Sequence, residues 1–192
     1  MDNYQLSIIN DQRTIQKNIY YWEFQRRGLS VHVASSHRGA VMVKLDFDRE
    51  NSFMTELISS APNAELIEDR THNEGVIGII EAYLKGNNLA INVPWDINVS
   101  PFMYNVYRSA CTIPYGETKT YKDVAFMAGT PKGARAVGQA LKKNPLVILI
   151  PCHRVVAVNG LGGFNAGIDM KRYLLNLEQG EKKSVGRINY AT

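Results

Sequence analysis

The chain has 192 residues, 45% hydrophobic and 21% charged, a composition that supports a packed core and excludes a disordered or low-complexity protein. Its two cysteines, Cys111 and Cys152, exclude a disulfide framework, so a reducing, cytoplasmic setting is expected. The net charge of +4 is uneven: residues 1–95 hold 9 Lys and Arg against 12 Asp and Glu, whereas residues 96–192 hold 13 against 6.

In chain order, residues 1–18 read as an extension with no clear element, and "MDNYQLSIIN" lacks the basic segment and long apolar run of a secretory signal. "YYWEFQ", "LSVHVA" and "AVMVKLDF" are short β-rich runs separated by Gly-containing turns, which predicts a small antiparallel sheet. "SFMTELISS" and "EGVIGIIEAYLKG" have helical spacing, the second closing on Gly86. "NVPWDINVSP" carries two prolines and no period, and the chain turns helical again from about Phe102. The expected architecture is α+β: an N-terminal domain of antiparallel sheet and helices over 1–92, a linker over 93–100, a mainly helical domain over 101–180, and a disordered tail over 181–192. The longest apolar run, Leu146 to Ile150, is far too short to cross a bilayer.

The second half contains a DNA-shaped element. "TKTYKDVAFMAGTPKGARAVGQALKKN" predicts a helix from near Thr120, a break at Gly129, and a second helix with Pro131 in its first turn, which is helix-turn-helix spacing. Gly133, Ala134, Ala136, Gly138 and Ala140 are read as a small-residue exposed face of that second helix, with Arg135 its one long cation. Packing against another helix would equally suit Ala and Gly. It would not suit Arg135, which argues for a surface that approaches a polyanion closely.

"NPLVILIPCHRVVAVNG" then ends an apolar run, read as a core strand, on Cys152, His153 and Arg154. A cysteine in such company is a candidate nucleophile, thiolate-like, with His153 beside it to take the proton. Neighbours on an extended backbone face opposite ways, so the two cooperate directly only if that turn is helical. Lowering a thiol pKa from about 8.5 to about 7 enlarges the thiolate fraction but reduces its nucleophilicity, for a net gain of only about threefold. Most of the acceleration must come from alignment and from protonating the leaving group.

The residues "PCHRVV", the preceding Asn144-Pro145, the "RAVG" helix and the closing "GGFNAGIDMKRYLLNLE" resemble the O6-alkylguanine-DNA alkyltransferase family from roughly Phe102 to Glu178. The first half resembles it only in general pattern. The resemblance implies a monomeric suicide repair protein without cofactor. Such a protein would take the alkyl group from O6 of guanine, and from O4 of thymine, in duplex DNA after base flipping through the minor groove. It also implies roles. Cys152 would accept the alkyl group, His153 would assist it, Glu178 would orient that histidine, Tyr121 would donate to the departing guanine, and Asn144 would brace the recognition helix against the active-site turn. Arg135 would fill the space of the extruded base, with Ala134, Ala136, Gly138 and Tyr121 against DNA. The carbonyls of Cys152 and Val155 and the N–H of Asn165 would meet the base, beside Phe164. If the source is prokaryotic, the protein would sit with the nucleoid during repair.

The chain departs from that pattern at Val147, where some members have a second proline, and at Asn165-Ala166-Gly167 after Phe164, where many have a Gly pair. Arg154 is read as a structural salt-bridge partner and Cys111 as a buried structural thiol. His32, His37 and His72 are read as surface residues without ligand spacing, so no metal is expected. Other readings remain: an alkylation-sensing helix-turn-helix regulator, a non-enzymatic damage sensor, which Cys152 argues against, and a cysteine hydrolase, which would need an oxyanion hole.

Overall fold

The computed structural model describes residues 17–47, 52–88 and 90–180; the expected tail over 181–192 and residues 1–16 of the expected extension lie outside them, while Lys17 and Asn18, also expected in that extension, begin a strand because they pair with another strand of the sheet. Strands β1 (Lys17–Arg26), β2 (Leu29–Ser36) and β3 (Gly39–Asp46) pair antiparallel, as their β-rich spacing predicts. Arg27 and Gly28 turn the first hairpin with φ of 53° and 78°, the doubly left-handed conformation that suits the twist of two flanking strands. Helix α1 (Phe53–Ser60) leads to a fourth strand, β4 (Ala64–Glu68), which pairs parallel with β1 and makes the order β3-β2-β1-β4. Strand β4 escapes the sequence pattern, because "AELIE" is only five residues long and its two glutamates, Glu65 and Glu68, fall on opposite faces and break the apolar alternation. Helix α2 (Glu74–Leu84) follows.

The sheet separates two unequal cores. Ile19, Ala34 and Met42 meet Phe53 and Leu57 of α1. On the other face Leu29, Val31, Val33 and Val43 join Val76, Ile80 and Tyr83 of α2, and the same cluster continues through Val106, Val137, Leu146 and Leu174 of the second half. The two halves thus share one apolar core. His32 corrects an expectation: it is 2% exposed rather than on the surface, because the middle strand β2 is buried along its length. Its ring stacks on Phe53 at 5.0 Å, with Glu23 at 3.4 Å and Asp46 at 3.6 Å. Among the described residues no group of three or more His, Cys, Asp or Glu is arranged to hold a metal.

Strand β3 is an edge, and the rest of the chain covers it. Ala40 N–H donates to the Pro94 carbonyl at 2.8 Å and Asp96 N–H to the Ala40 carbonyl at 2.8 Å. Further along, Val43 N–H donates to the Pro145 carbonyl at 2.7 Å and Val147 N–H to the Val43 carbonyl at 3.2 Å. Covering satisfies backbone groups that would otherwise invite another chain. The first contact requires Gly39: its φ is 148°, and a Cβ there would lie 2.2 Å from the Pro94 oxygen.

In the second half α3 (Pro101–Cys111) is capped by Ser100, whose hydroxyl accepts from Met103 N–H at 3.3 Å. A short parallel pair, β5 (Lys119–Thr120) with β6 (Val155–Val156), leads into α4 (Tyr121–Met127), then α5 (Ala134–Lys142) and finally α6 (Ile168–Glu178). Three local expectations are corrected. Helix α5 starts at Ala134, not at Pro131, because Gly133 N–H closes a turn on the Thr130 carbonyl at 2.7 Å. Ala140 is 4% exposed, since it shares the inner face with Val137 and Leu141, and its carbonyl accepts from Tyr107 OH at 3.0 Å. The run Leu146 to Ile150 is a turn, not a strand: Ile150 N–H bonds back to the Leu146 carbonyl at 2.8 Å, with Ile148 at φ 72°. No helix among the described residues is long and apolar enough to cross a membrane.

Candidate active site

Cys152 opens a single 3-10 turn, Cys152–Arg154, in which all three side chains are buried. Residues in such a turn are spaced about 120° apart, so adjacent side chains need not face opposite ways as on a strand. Cys152 is 5% exposed. Asn144, two residues past α5, reaches it: Nδ2 donates to the Cys152 Sγ at 3.0 Å and to the Ile150 carbonyl at 3.0 Å, while Oδ1 accepts from Leu146 N–H at 3.0 Å. The Leu146 bond fixes which way the amide points. One side chain therefore ties the end of the second helix of the helix-turn-helix to both ends of the Leu146–Ile150 turn and to the thiol that follows it.

The thiol is not thiolate-like at rest. Burial pushes its pKa up to about 11, against the opposing pull of the Asn144 amide and the Lys171 ammonium. Cys111, at the end of α3, is likewise pushed up to about 11 by burial, and its thiol is directed at the Leu149 carbonyl at 3.7 Å.

Behind the cysteine lies a buried polar cluster. His153 Nε2 is 2.7 Å from Glu178 Oε1. Arg154 donates from Nε to both carboxylate oxygens at 3.1 and 2.9 Å, from Nη2 to Oε1 at 2.9 Å, and from Nη1 to the Ile113 carbonyl at 2.7 Å. Gly116 N–H donates to Oε2 at 2.9 Å. Burial alone would raise the Glu178 pKa, but His153, Arg154 and Gly116 hold it at about 2. Burial depresses His153, opposed by Glu178 and aided by Arg154 and Lys171, so the ring is neutral near pH 7. Its Nδ1 is buried without a hydrogen-bond partner among the described residues.

In front of the thiol is a cleft of about 690 Å³ whose walls include Tyr121, Arg135, Gly138, Cys152, Gly163 and Phe164. That is within the ~300–1,000 Å³ of small-molecule sites. Tyr121 is the first residue of α4, held there by a capping box: the Thr120 hydroxyl accepts from Asp123 N–H at 3.1 Å, and Asp123 Oδ2 accepts from Thr120 N–H at 2.9 Å. Its hydroxyl donates to the Gly163 carbonyl at 3.2 Å. Arg135 and Ala136 are exposed, Ala134 and Gly138 partly so. Asn165 is exposed just beyond Phe164.

Two residues here are absent from the sequence-based expectations. Lys171 is fully buried in α6, donating to the Val155 carbonyl at 2.6 Å and the Gly163 carbonyl at 3.3 Å, with its Nζ 5.8 Å from the centre of the Tyr121 ring. Burial lowers its pKa to about 8. It shares the inner stripe of α6 with Leu174 and Glu178 at helical spacing, and that charged pair on an apolar stripe was the available clue. Tyr83, from α2, donates to Glu178 Oε1 at 2.7 Å and lies 3.1 Å from His153 Nε2. By spacing alone it is one more apolar core residue.

Residues 101–180 match the family model described as the DNA-binding domain of 6-O-methylguanine DNA methyltransferase. The inducible methylated-DNA–protein-cysteine methyltransferase of Bacillus subtilis is 36% identical over 169 residues, 85% of this chain and 92% of that protein. The Metallosphaera sedula protein of that name is 43% identical over 115 residues, 59% and 72% of the two chains. Among solved structures, Mycobacterium tuberculosis OGT in complex with DNA superposes with a TM-score of 0.70 at 31% identity, covering 83% of this chain and 92% of that one. The O6-methylguanine-DNA methyltransferase of Pyrococcus kodakaraensis gives 0.64 at 26%, covering 83% and 98%.

Proposed function

The chain belongs to the methylated-DNA–protein-cysteine methyltransferases, a DNA repair family, and from that premise we propose that Cys152 takes the alkyl group from O6 of guanine in duplex DNA irreversibly. O4-alkylthymine, which presents the same alkyl ether carbon, is the second substrate. The observation that carries the reading is the thiol itself, held by Asn144 at the floor of a cleft with ample room for a nucleobase, whose rim is the helix-turn-helix.

The chemistry follows from the charges of the groups. A thiol with pKa about 11 is roughly one part in 10⁴ thiolate at pH 7, so deprotonation accompanies attack rather than preceding it. The thiol proton passes, by way of a solvent molecule, to the free Nδ1 of neutral His153, and the ionised Glu178 stabilises the imidazolium that forms. The Sγ–carbon bond forms as the carbon–O6 bond breaks. The departing guanine is protonated by Tyr121, which burial and the nearby Cys152 keep in its phenol form. Tyr121 regains its proton as imidazolium loses one through solvent, so the net change moves the thiol proton to guanine. The product is a thioether, which offers water no carbonyl to attack, and the reaction stops after one turn.

A cleft walled by the protein admits a base only out of the stack, and a base so extruded leaves a gap that Arg135, exposed at the rim, can fill. The carbonyls of Cys152 and Val155 and the Asn165 N–H would read the base, beside Phe164. The Val155 carbonyl already accepts from Lys171 and has a second lone pair to offer. The experiment is stoichiometric: mixed with excess O6-methylguanine duplex, the protein should consume one equivalent and gain one methylene on the peptide holding Cys152. Turnover beyond one equivalent, or label on Cys111, overturns the reading.

A further inference from the structure

Glu178 collects donors from across the second half of the chain: His153 and Arg154 from the 3-10 turn and Gly116 from the loop after α3. Tyr83 is different, because it comes from α2, in the half that carries the sheet. The proton positions in this cluster follow from what each atom can do. Glu178, with a pKa of about 2, only accepts. His153 Nε2, at 2.7 Å from its Oε1, must therefore carry a hydrogen. Tyr83 has one hydrogen, and at 2.7 Å from the same oxygen it is given to Glu178. Towards Nε2, at 3.1 Å, the phenol oxygen can then offer only a lone pair. The Nε2–H is flanked by two acceptors, and the basic lone pair of the neutral ring is left on Nδ1.

We infer that Tyr83 is a positioning residue for alkyl transfer: its hydroxyl clamps the His153–Glu178 pair, so that the imidazole keeps its proton on Nε2 and presents Nδ1 as the base for the Cys152 proton. The clamp acts most when His153 becomes imidazolium, since a charged Nε2–H is the stronger donor to the phenol oxygen. It also makes the reaction depend on the docking of α2, although α2 lines no part of the cleft. This inference rests on the proposed transfer to Cys152 and adds the residue that orients its base.

Tyr83→Phe keeps the ring that fills the core, and Glu178 keeps His153, Arg154 and Gly116, so the variant should fold. The ring pair faces Glu178 and Arg154, the Tyr115 ring edge-on at 6.0 Å, the charge of Lys171, and Cys152 one residue away. All of these are unchanged in the variant. The measurement is single-turnover methyl transfer from O6-methylguanine duplex as a function of DNA concentration and pH, with ¹⁵N spectra of His153. The rate constant at saturation should fall roughly tenfold, the scale of one hydrogen bond to a charged group, with half-saturation unchanged. The limb of the pH profile that tracks His153 should shift, and the Nε2–H signal should exchange faster. A rate constant, profile and spectrum equal to wild type would overturn the inference. Wild-type protein that transfers nothing to Cys152 would instead overturn the proposed function.

Discussion

The phenol of Tyr121 is confined on three sides. The capping box sets the backbone, Gly138 leaves the ring face open at ordinary contact distance, and Gly162, at φ 70°, admits the other edge. A Cβ at Gly162 would lie 2.7 Å from the Tyr121 Cε2 and 2.9 Å from its hydroxyl, so only glycine lets the loop after β6 close over the ring. The confined hydroxyl donates to the Gly163 carbonyl. On the proposed mechanism, Tyr121→Phe removes the acid and nothing else. Transfer from O6-methylguanine duplex should slow by about 100-fold, within the usual range for losing a general acid, while binding to undamaged duplex stays near wild type. A single-turnover rate equal to wild type at saturating DNA would remove Tyr121 from the chemistry.

At the scale of elements, the helix-turn-helix was legible because its signals are local: the Thr120–Asp123 capping box, Gly129 at φ 75° and the small face of α5 all lie within 25 residues. The three sheet strands and α1 to α3 were legible for the same reason. What escaped depends on partners distant in sequence. β4 exists because β1 offers an edge, the apolar run Leu146 to Ile150 turns back because β3 holds Leu146, and Ala140 is buried because Tyr107 packs on it. With Ala140 removed, the exposed face of α5 narrows to Ala134, Arg135, Ala136 and Gly138, flanked by Lys132, Lys142 and Lys143. That concentrates the case on Arg135. If it occupies the gap left by an extruded base, Arg135→Ala should slow repair of duplex roughly 100-fold, since unstacking costs a few kcal/mol. Reaction with free O6-alkylated guanine, which has no stack to leave, should stay within about threefold. Equal losses on both substrates would mean that Arg135 shapes the cleft.

Across the whole molecule, the site is assembled where the halves meet. Strand β3 holds Pro94 and Asp96 at one end and the segment after Asn144 at the other, the larger core runs from Leu29 to Leu174, and α2 contributes Tyr83 to the cluster behind Cys152. Glu178 is the point at which the turn carrying Cys152, the loop at Gly116, α2 and α6 are joined by hydrogen bonds. Its charge should therefore be worth stability to the entire fold. The folded pKa, about 2, lies below the ordinary 4.5, so between these values the unfolded chain binds the proton more readily. The contribution is fully present above pH 4.5 and is lost as the pH falls towards 2. A depression of this size corresponds to something on the order of 3 kcal/mol. Denaturant titrations of wild type should show that loss across the acid window. Glu178→Gln should be less stable at pH 7 and should show a shallower decline between pH 4.5 and 2, because the titrating group is gone. Arg154, buried beside it, would then lack its counter-charge at every pH. Parallel wild-type and Glu178→Gln curves through that window would show that the carboxylate's pKa is not depressed and that its charge does not help to hold the halves together.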